Sequence, residues 1–503
     1  MIDYVIIQAG GKGTRMGKYT FNKPKALVPI NGKPFILNTM EKLGDRFYII
    51  IGDYKYDVLK RYLRKFATRK YVLLKAKGKG TCSGIGDSLK YIPDQKSFVI
   101  IWSDLYIEKP LDLEKYFEKR FNGSCGIVGL TNKFPCRWSF ENGELKEKPS
   151  NTNGVMGIFA FESKRCLSDI PESGEFVRYL HDSNKILNHI YINEIEEFGT
   201  LSKYENHLKK YAFYRPFNKI VIKKDRVIKE PIDSYGSKLS NYERKWYKQV
   251  EALGFVNAPK VFSYKPFTLE RINGRHPFDI SASEKIVIGI IESLKKLHDT
   301  AEHPVNYFDV YREYYQKTFE RLYKVKDIIP FSDKEYIYIN GVKSVNPFYI
   351  EDIILEKIKD MVIEKFTPIH GDPTFSNTLI TNDGIPFFID PRGYFGYTSF
   401  FGDPDYDFAK VYYSIKGNYD QFNRKNFTLE IKQEEVKINI ASNGYDNFEE
   451  LFFELIGRNK KEKIQFLHAI IWLSLTTYAW DDFDMICGAF YNGTLLLSEI
   501  LKL

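Results

Sequence analysis

Cysteine is scarce. The 503 residues hold five, Cys82, Cys125, Cys136, Cys166 and Cys487. An odd, scattered set with no metal-ligand spacing argues against a disulfide framework and against a structural zinc site. Long apolar runs are also missing: the longest fall far short of a bilayer span, and the chain enters a strand-like run at Tyr4 with no leader before it. The expectation is therefore a cytoplasmic protein without membrane insertion. No basic block is present either. The net charge of +9, from 74 Lys and Arg against 65 Asp and Glu, is spread along the chain. That makes nucleic acid a poor first candidate for a partner and suits small anionic substrates. Internal repeats and low-complexity tracts are absent. What remains is ordinary for a globular protein with a real core, 43% hydrophobic and 28% charged, and its length calls for two or three domains.

The most informative stretch runs from Gln8-Ala9-Gly10-Gly11-Lys12-Gly13-Thr14-Arg15 to Asn22-Lys23-Pro24-Lys25. It follows an apolar strand, Tyr4 to Ile7. Three glycines in four residues let the backbone turn sharply and gather N–H groups into a nest for anionic oxygens. Lys12, Arg15, Lys23 and Lys25 add fixed positive charge, so a polyphosphate cradle is the expected structure. The spacing fits neither a Walker loop nor the dinucleotide GxGxxG pattern.

Strand-like runs at Phe47–Ile51, Tyr71–Leu74, Phe98–Ile101, Gly126–Leu130 and Gly157–Phe161 alternate with helix-like segments at Ile36–Leu43, Asp57–Phe66, Ile85–Tyr91 and Leu113–Phe121. This alternation predicts an α/β domain with a mostly parallel, mixed, Rossmann-like sheet. Asp104 falls just past the buried run Phe98–Ile101, where open α/β sheets bind ligands; a carboxylate there suits Mg²⁺.

The full glycine-rich string resembles the signature of sugar-nucleotide-forming nucleotidyltransferases, a family that includes the cytidylyltransferases activating phosphocholine. Further segments match that family in order. The resemblance implies that Gln8 to Thr14 with Gly80 and Thr81 bind the NTP. It implies that Arg15 and Lys25 neutralise charge at the reacting phosphates. Lys148 of Glu147-Lys148-Pro149, with Asn153 and Gly154, would receive the acceptor phosphate. Asp104 and Glu197 would hold Mg²⁺. Glu197 stands where the family carries aspartate, and Glu194 and Glu196 are rivals for the position. The family's motifs finish by about residue 205, which sets a first domain at 1–210.

From Tyr214 the pattern changes. Lys219–Lys223 and Arg226–Glu230 read as two strands about a tight turn, followed by a helix from Ser240 to Leu253 with Glu243 in its first turn. Further on come His370-Gly371-Asp372, Asn377 and Ile389-Asp390-Pro391-Arg392-Gly393. The Asp-x4-Asn spacing lets one carboxylate accept a hydroxyl proton while the amide oxygen reaches a metal that a second carboxylate completes. This part resembles the aminoglycoside phosphotransferase and choline kinase family, distant relatives of protein kinases. The resemblance implies a two-lobed α+β domain over 211–503, its lobes meeting near 275. It makes Asp372 the catalytic base, and Asn377 and Asp390 ligands of a second Mg²⁺. Lys229 would pair the ATP phosphates, with Lys223 and Lys224 as rivals, and Glu243 would orient it. Glu270 and Ile272 would lie at the adenine hinge, and Asp407 would buttress the catalytic loop. No glycine-rich loop separates the first two strands. Trp480 and Asp482, near the C-terminus, are candidates for the alcohol pocket.

The two chemistries run in series. The expectation is a bifunctional enzyme: ATP phosphorylates a small alcohol, and a second NTP, CTP by preference, then yields an NDP-alcohol and pyrophosphate for surface polysaccharide or lipid synthesis. A sugar 1-kinase joined to a sugar-1-phosphate nucleotidyltransferase is the alternative. A kinase with a regulatory nucleotide-binding domain is a third reading. The partners are the alcohol and its phosphate, and a homo-oligomer is left open.

Overall fold

Tyr4–Gln8 forms β1, and Val5, Ile6 and Ile7 are fully buried. The strand lies at the centre of a sheet in a computed structural model that describes residues 2–118, 120–210 and 218–503. The chain divides into two units, Met1–Ala212 with Asp481–Asp484, and Phe213–Trp480 with Met485–Leu503. The expected join at 210/211 and the change of pattern at Tyr214 lie outside the described residues.

In the first unit β1 pairs in parallel with β2 (Phe47–Gly52) and with β4 (Phe98–Trp102), and β2 pairs in parallel with β3 (Tyr71–Lys75). Uninterrupted Ile, Val and Leu runs suit strands covered on both faces. The short β5 (Leu105–Ile107) follows. β6 (Gly126–Thr131) and β7 (Gly154–Phe161) extend the sheet antiparallel, β7 against β4 and β6 against β7. β8 (Leu187–Tyr191) then runs parallel to β6. A last short strand, β9 (Ile195–Glu197), pairs with β5 instead. The sheet is thus mixed, parallel at its centre. Helices α1 (Phe35–Leu43), α2 (Tyr56–Phe66), α3 (Ile85–Leu89), α4 (Leu113–Phe117), α5 (Phe176–Asp182) and α6 (Leu201–Lys210) connect the strands. α3 and α4 stop short of the spans expected from sequence. A second, smaller core gathers Met16, Tyr19, Val28, Ile30, Phe35, Phe198 and Tyr204. It clamps the glycine-rich stretch against the closing Glu197-Phe198-Gly199 segment.

The second unit begins with an antiparallel sheet ordered β10 (Asn218–Ile222), β11 (Arg226–Pro231), β13 (Phe267–Glu270), β12 (Val261–Tyr264). The β10–β11 turn is closed by the Lys223 N–H donating to Arg226 O at 2.8 Å, without glycine. Helix α7 spans Ser234–Ala252 and starts earlier than expected: Asp233 caps it by accepting from Gly236 N at 2.7 Å. Glu243 therefore sits mid-helix and not in the first turn. The rest is mainly helical, including α8 (Glu284–His298), α9 (Lys317–Val325), α10 (Pro404–Ile415) and α11 (Lys461–Leu475). α8 packs against a hairpin of β14 (Thr378–Thr381) and β15 (Pro386–Phe388). No helix among the described residues is long and apolar enough to cross a membrane.

Candidate active sites

In the first unit the cradle forms where β1 ends. Gly13 has φ +64°, and a Cβ there would meet Lys25 Cβ at 3.0 Å and Thr20 Cγ2 at 3.1 Å. A side chain at Gly10 would meet Asp53 at 2.9 Å, whereas Gly11 faces open space. Ala9 N donates to Ile51 O at 2.8 Å, and Lys25 N reaches Gly11 O at 3.4 Å. Gln8 donates to Thr81 O at 2.6 Å and Ser83 O at 3.2 Å, tying β1 to the Gly80-Thr81 turn. Gly80 is held at φ +85° with its Cα against the Gly174 carbonyl, and Thr81 Oγ1 accepts from Phe176 N at 2.8 Å at the start of α5. Thr14 and Arg15 are exposed.

Lys25 is nearly buried and donates to Asp104 Oδ2 at 2.8 Å, so a cation and an acid from separate motifs meet beside the cradle. Antiparallel pairing sets Glu197 opposite Leu105, one residue from Asp104. The rival Glu194 accepts from Tyr116 Oη at 2.7 Å, and Glu196 lies opposite Tyr106. The Glu197 carboxylate folds back over Gly199. Burial, with Glu197 nearby, pushes the Cys136 thiol up to about 12.

The expected acceptor residues divide. Lys148 is exposed. Asn153 is spent on its own turn, donating to Phe140 O at 2.9 Å and accepting from Ser150 Oγ at 2.5 Å. It shapes the entry to β7 and is not turned toward a ligand. At Gly154 a Cβ would meet Cys136 at 2.8 Å. Sequence reading missed Arg137 and Arg178, which both pair with Glu147 beside Lys148.

It also misjudged Asp482. This residue lies in the segment that joins the first unit and accepts from the fully buried Lys23 at 2.6 Å. Asp484 is the second partner of Lys23 and accepts from Asn22 at 2.9 Å. Burial opposes the Lys23 charge, but the two carboxylates raise its pKa above the ordinary lysine value. Asp482 is therefore a buried counterion and no part of an alcohol pocket. The half-buried Trp480 stands just before it.

In the second unit Lys229 is buried while Lys223 and Lys224 are exposed. Lys229 bridges Glu243 of α7 and Asp390. Asp390 holds φ +57°, unusual for a residue with a side chain, and such outliers gather at functional sites. Ile389 N donates to Asn377 O at 2.9 Å, so Asn377, just before β14, and Asp390, just after β15, are held side by side at one end of the hairpin. Asn377 Nδ2 donates to Asp372 O and Oδ2, both at 2.9 Å, which leaves the amide oxygen as a free acceptor. Asp407 is fully buried and accepts from His370 N at 2.8 Å, Gly371 N at 2.7 Å and His298 Nε2 at 3.1 Å. It holds the His370-Gly371 turn in place. Trp246 of α7 donates to Ile369 O at 2.7 Å, adding a second anchor.

Burial works against the Asp372 carboxylate, yet Lys410, at 3.0 Å from Oδ1, holds its pKa below the ordinary value. The ionised form of Asp372 is thus favoured. Burial keeps His370 neutral. The Glu270 backbone pairs with Lys260 and its side chain accepts from Lys260 N at 3.2 Å. Ile272 is half-buried.

Magnesium, implied by both resemblances, fits these donors. Asp104 in one unit, and Asp390 with the Asn377 oxygen in the other, are hard oxygen ligands of the kind Mg²⁺ takes alongside phosphate oxygens. In each unit a lysine ammonium lies on the carboxylate in question, so each acid already serves a cation. Among the described residues no group of three or more His, Cys, Asp or Glu converges on a metal-sized space. The nucleotide would then supply most of the coordination.

Comparison with known proteins agrees with this division. Residues 5–136 match the family model of the MobA-like NTP transferase domain, and residues 237–427 match that of the phosphotransferase enzyme family. The first region is similar to the bifunctional protein GlmU of Methanocaldococcus jannaschii, 30% identical over 168 residues, 32% of this chain and 40% of that one. It is also similar to the D-glycero-alpha-D-manno-heptose 1-phosphate guanylyltransferase of Campylobacter jejuni, 33% identical over 101 residues, 18% of this chain and 43% of that one. The chain thus spans about two-fifths of the length of these curated relatives. Among solved structures, HddC from Yersinia pseudotuberculosis complexed with GMP-PN aligns with TM-score 0.36 and 23% identity, over 42% of this chain and all of that one.

Proposed function

We propose that this protein phosphorylates a small alcohol with ATP in its second unit and transfers a nucleotidyl group to the resulting phosphate in its first. The observation that carries the reading is the paired assembly of acid and lysine beside each expected phosphate site: Lys25 with Asp104, and Lys229 with Glu243 and Asp390.

In the second unit Asp372 accepts the proton of the attacking hydroxyl, held in orientation by Asn377 and kept ionised by Lys410. Lys229, fixed by Glu243, binds the ATP phosphates. In the first unit the glycine turn offers N–H groups to the NTP while Lys25 and Arg15 stabilise charge as pyrophosphate leaves. Lys148, with the Arg137 and Arg178 guanidiniums nearby, receives the incoming phosphate. Bound Mg²⁺ would neutralise phosphate charge at both sites.

For the nucleotide, CTP with a polyol or amino-alcohol phosphate is the first reading. The second is a sugar 1-phosphate with GTP, UTP or dTTP, favoured by the heptose 1-phosphate named in the Campylobacter relative. The product would serve surface polysaccharide or lipid synthesis, and all of the substrates are cytoplasmic metabolites. The test incubates the full chain with Mg²⁺, ATP, each of four NTPs and a panel of alcohols, sugars and their phosphates, and reads products by mass. An NDP-linked product supports the reading. Phosphorylated alcohol without pyrophosphate from any NTP would leave the first unit a regulatory nucleotide-binding domain.

A further inference from the structure

Asp372 is bordered by an accumulation of cations. Three long basic side chains converge on the Tyr406 ring, and a fourth, Arg321, lies within electrostatic reach of it. Lys317 and Lys410 lie 5.6 and 5.8 Å from its centroid, and Arg392 donates to its hydroxyl at 3.2 Å. Arg321, one turn beyond Lys317 on α9, donates to Ser474 O at 2.7 Å and sits 6.0 Å over the Tyr478 ring. Two carboxylates answer them. Glu313, 2% exposed, takes both Lys317 and Arg392, and Asp372 takes Lys410.

The next acids along α10, Asp403 and Asp405, are already matched by Lys460, Lys463 and the Tyr314 hydroxyl. Arg321 has no carboxylate partner among the described residues. Lys317, Arg392 and Lys410 keep 13%, 18% and 16% of their side-chain surface, and Asp372 keeps 37%. Each of these side chains therefore keeps some contact with solvent and is not sealed in the core.

Two further observations point to a ligand. Residues Tyr311–Gln316, which carry Glu313 and lead into Lys317, form a π-helical turn, a distortion that recurs at functional sites. Burial and the neighbouring cations Arg392, Arg321 and Lys410 drive the Lys317 pKa well below the ordinary lysine value. An anion among these groups would relieve that repulsion.

We propose that Lys317, Arg321, Arg392 and Lys410 form an anion subsite beside Asp372, so that the alcohol phosphorylated by the second unit carries a carboxylate or a phosphate. This rests on the reading of that unit as an alcohol kinase and narrows it away from choline and ethanolamine. A quaternary ammonium would enter a field of its own sign.

The experiment uses the full chain with Mg²⁺ and four probes: D-glycerate, glycerol 3-phosphate, glycerol and choline. ADP release with ATP measures turnover, and calorimetry with Mg·ADP measures binding. The expected result is that glycerate or glycerol 3-phosphate has a KM at least about tenfold below that of glycerol and choline, the scale of one charge-assisted contact. The two anions tell a carboxylate from a phosphate preference. Arg321→Met should raise that KM about tenfold while leaving the KM for ATP in place, and Arg321→Lys should restore part of it. Choline or glycerol used as well as the anions overturns the proposal, as does failure of both anions to bind. Anions that bind in an Arg321-dependent way, with no probe phosphorylated, would uphold the subsite and overturn the kinase reading.

Discussion

Lys25 and Asp372 are the residues on which the chemistry turns. Lys25→Ala removes the cation beside Asp104, and pyrophosphate release at saturating NTP should fall by about 10²–10³; near-normal turnover would remove Lys25 from the reaction. For Asp372 the sign of the pH effect follows from its environment. Its pKa is lowered, chiefly by Lys410 against the pull of burial, so the basic form persists as pH falls through the ordinary carboxylate range. Lys410→Met should lift that pKa and move the acid limb of the kinase profile toward higher pH, measured as ADP release against pH at saturating alcohol. Both residues were legible in the sequence because each sits in a dense local string. Arg137, Arg178 and Arg321 were not, since each reaches its place from a separate element with no motif around it. Asp482 was misread for the same reason: an acid next to tryptophan looks like a pocket until its buried partner Lys23, far off in sequence, is known.

At the scale of elements, two buried polar contacts stabilise the second unit. Asp407 at the start of α10 accepts three hydrogen bonds from the catalytic loop and His298. Asp407→Ala would leave two buried N–H groups unsatisfied and should cost about 3–5 kcal/mol, as loss of one member of a buried polar network does. The denaturant midpoint of the second unit checks it. On α11, burial drives the His468 pKa down to about 3 while its ring accepts from Trp472 Nε1 at 2.9 Å. The folded pKa lies below the unfolded one, so the unfolded chain binds the extra proton. Stability of the second unit should fall as pH drops from about 6.5 toward 3, and His468→Gln should flatten that slope. Strands of the first sheet were readable from their uninterrupted apolar runs. The start of α7 was not, because the cap is Asp233, well before the expected start at Ser240. The second unit's four-stranded sheet containing Tyr336–Ile339 and Phe427–Ile431 escaped notice. It joins segments distant in sequence, and nothing local announces such a pairing.

At the scale of the whole molecule, the account joins two phosphorus-transfer sites in one chain, the later in sequence supplying the earlier. The alternation of strands and helices and the two signature strings made both folds foreseeable. The return of Asp481–Asp484 to the first unit was not, since it depends on tertiary placement alone. The most direct measurement follows one accepted alcohol, with ATP, a second NTP and Mg²⁺, by mass and by release of ADP and pyrophosphate, in wild type and in Asp372→Asn. Wild type should make the NDP-linked product with ADP and pyrophosphate in equal amounts. Asp372→Asn should make none from the alcohol and recover full yield when the alcohol phosphate is supplied. An NDP-linked product formed by Asp372→Asn from the bare alcohol, or no rescue by the phosphate, would contradict the account.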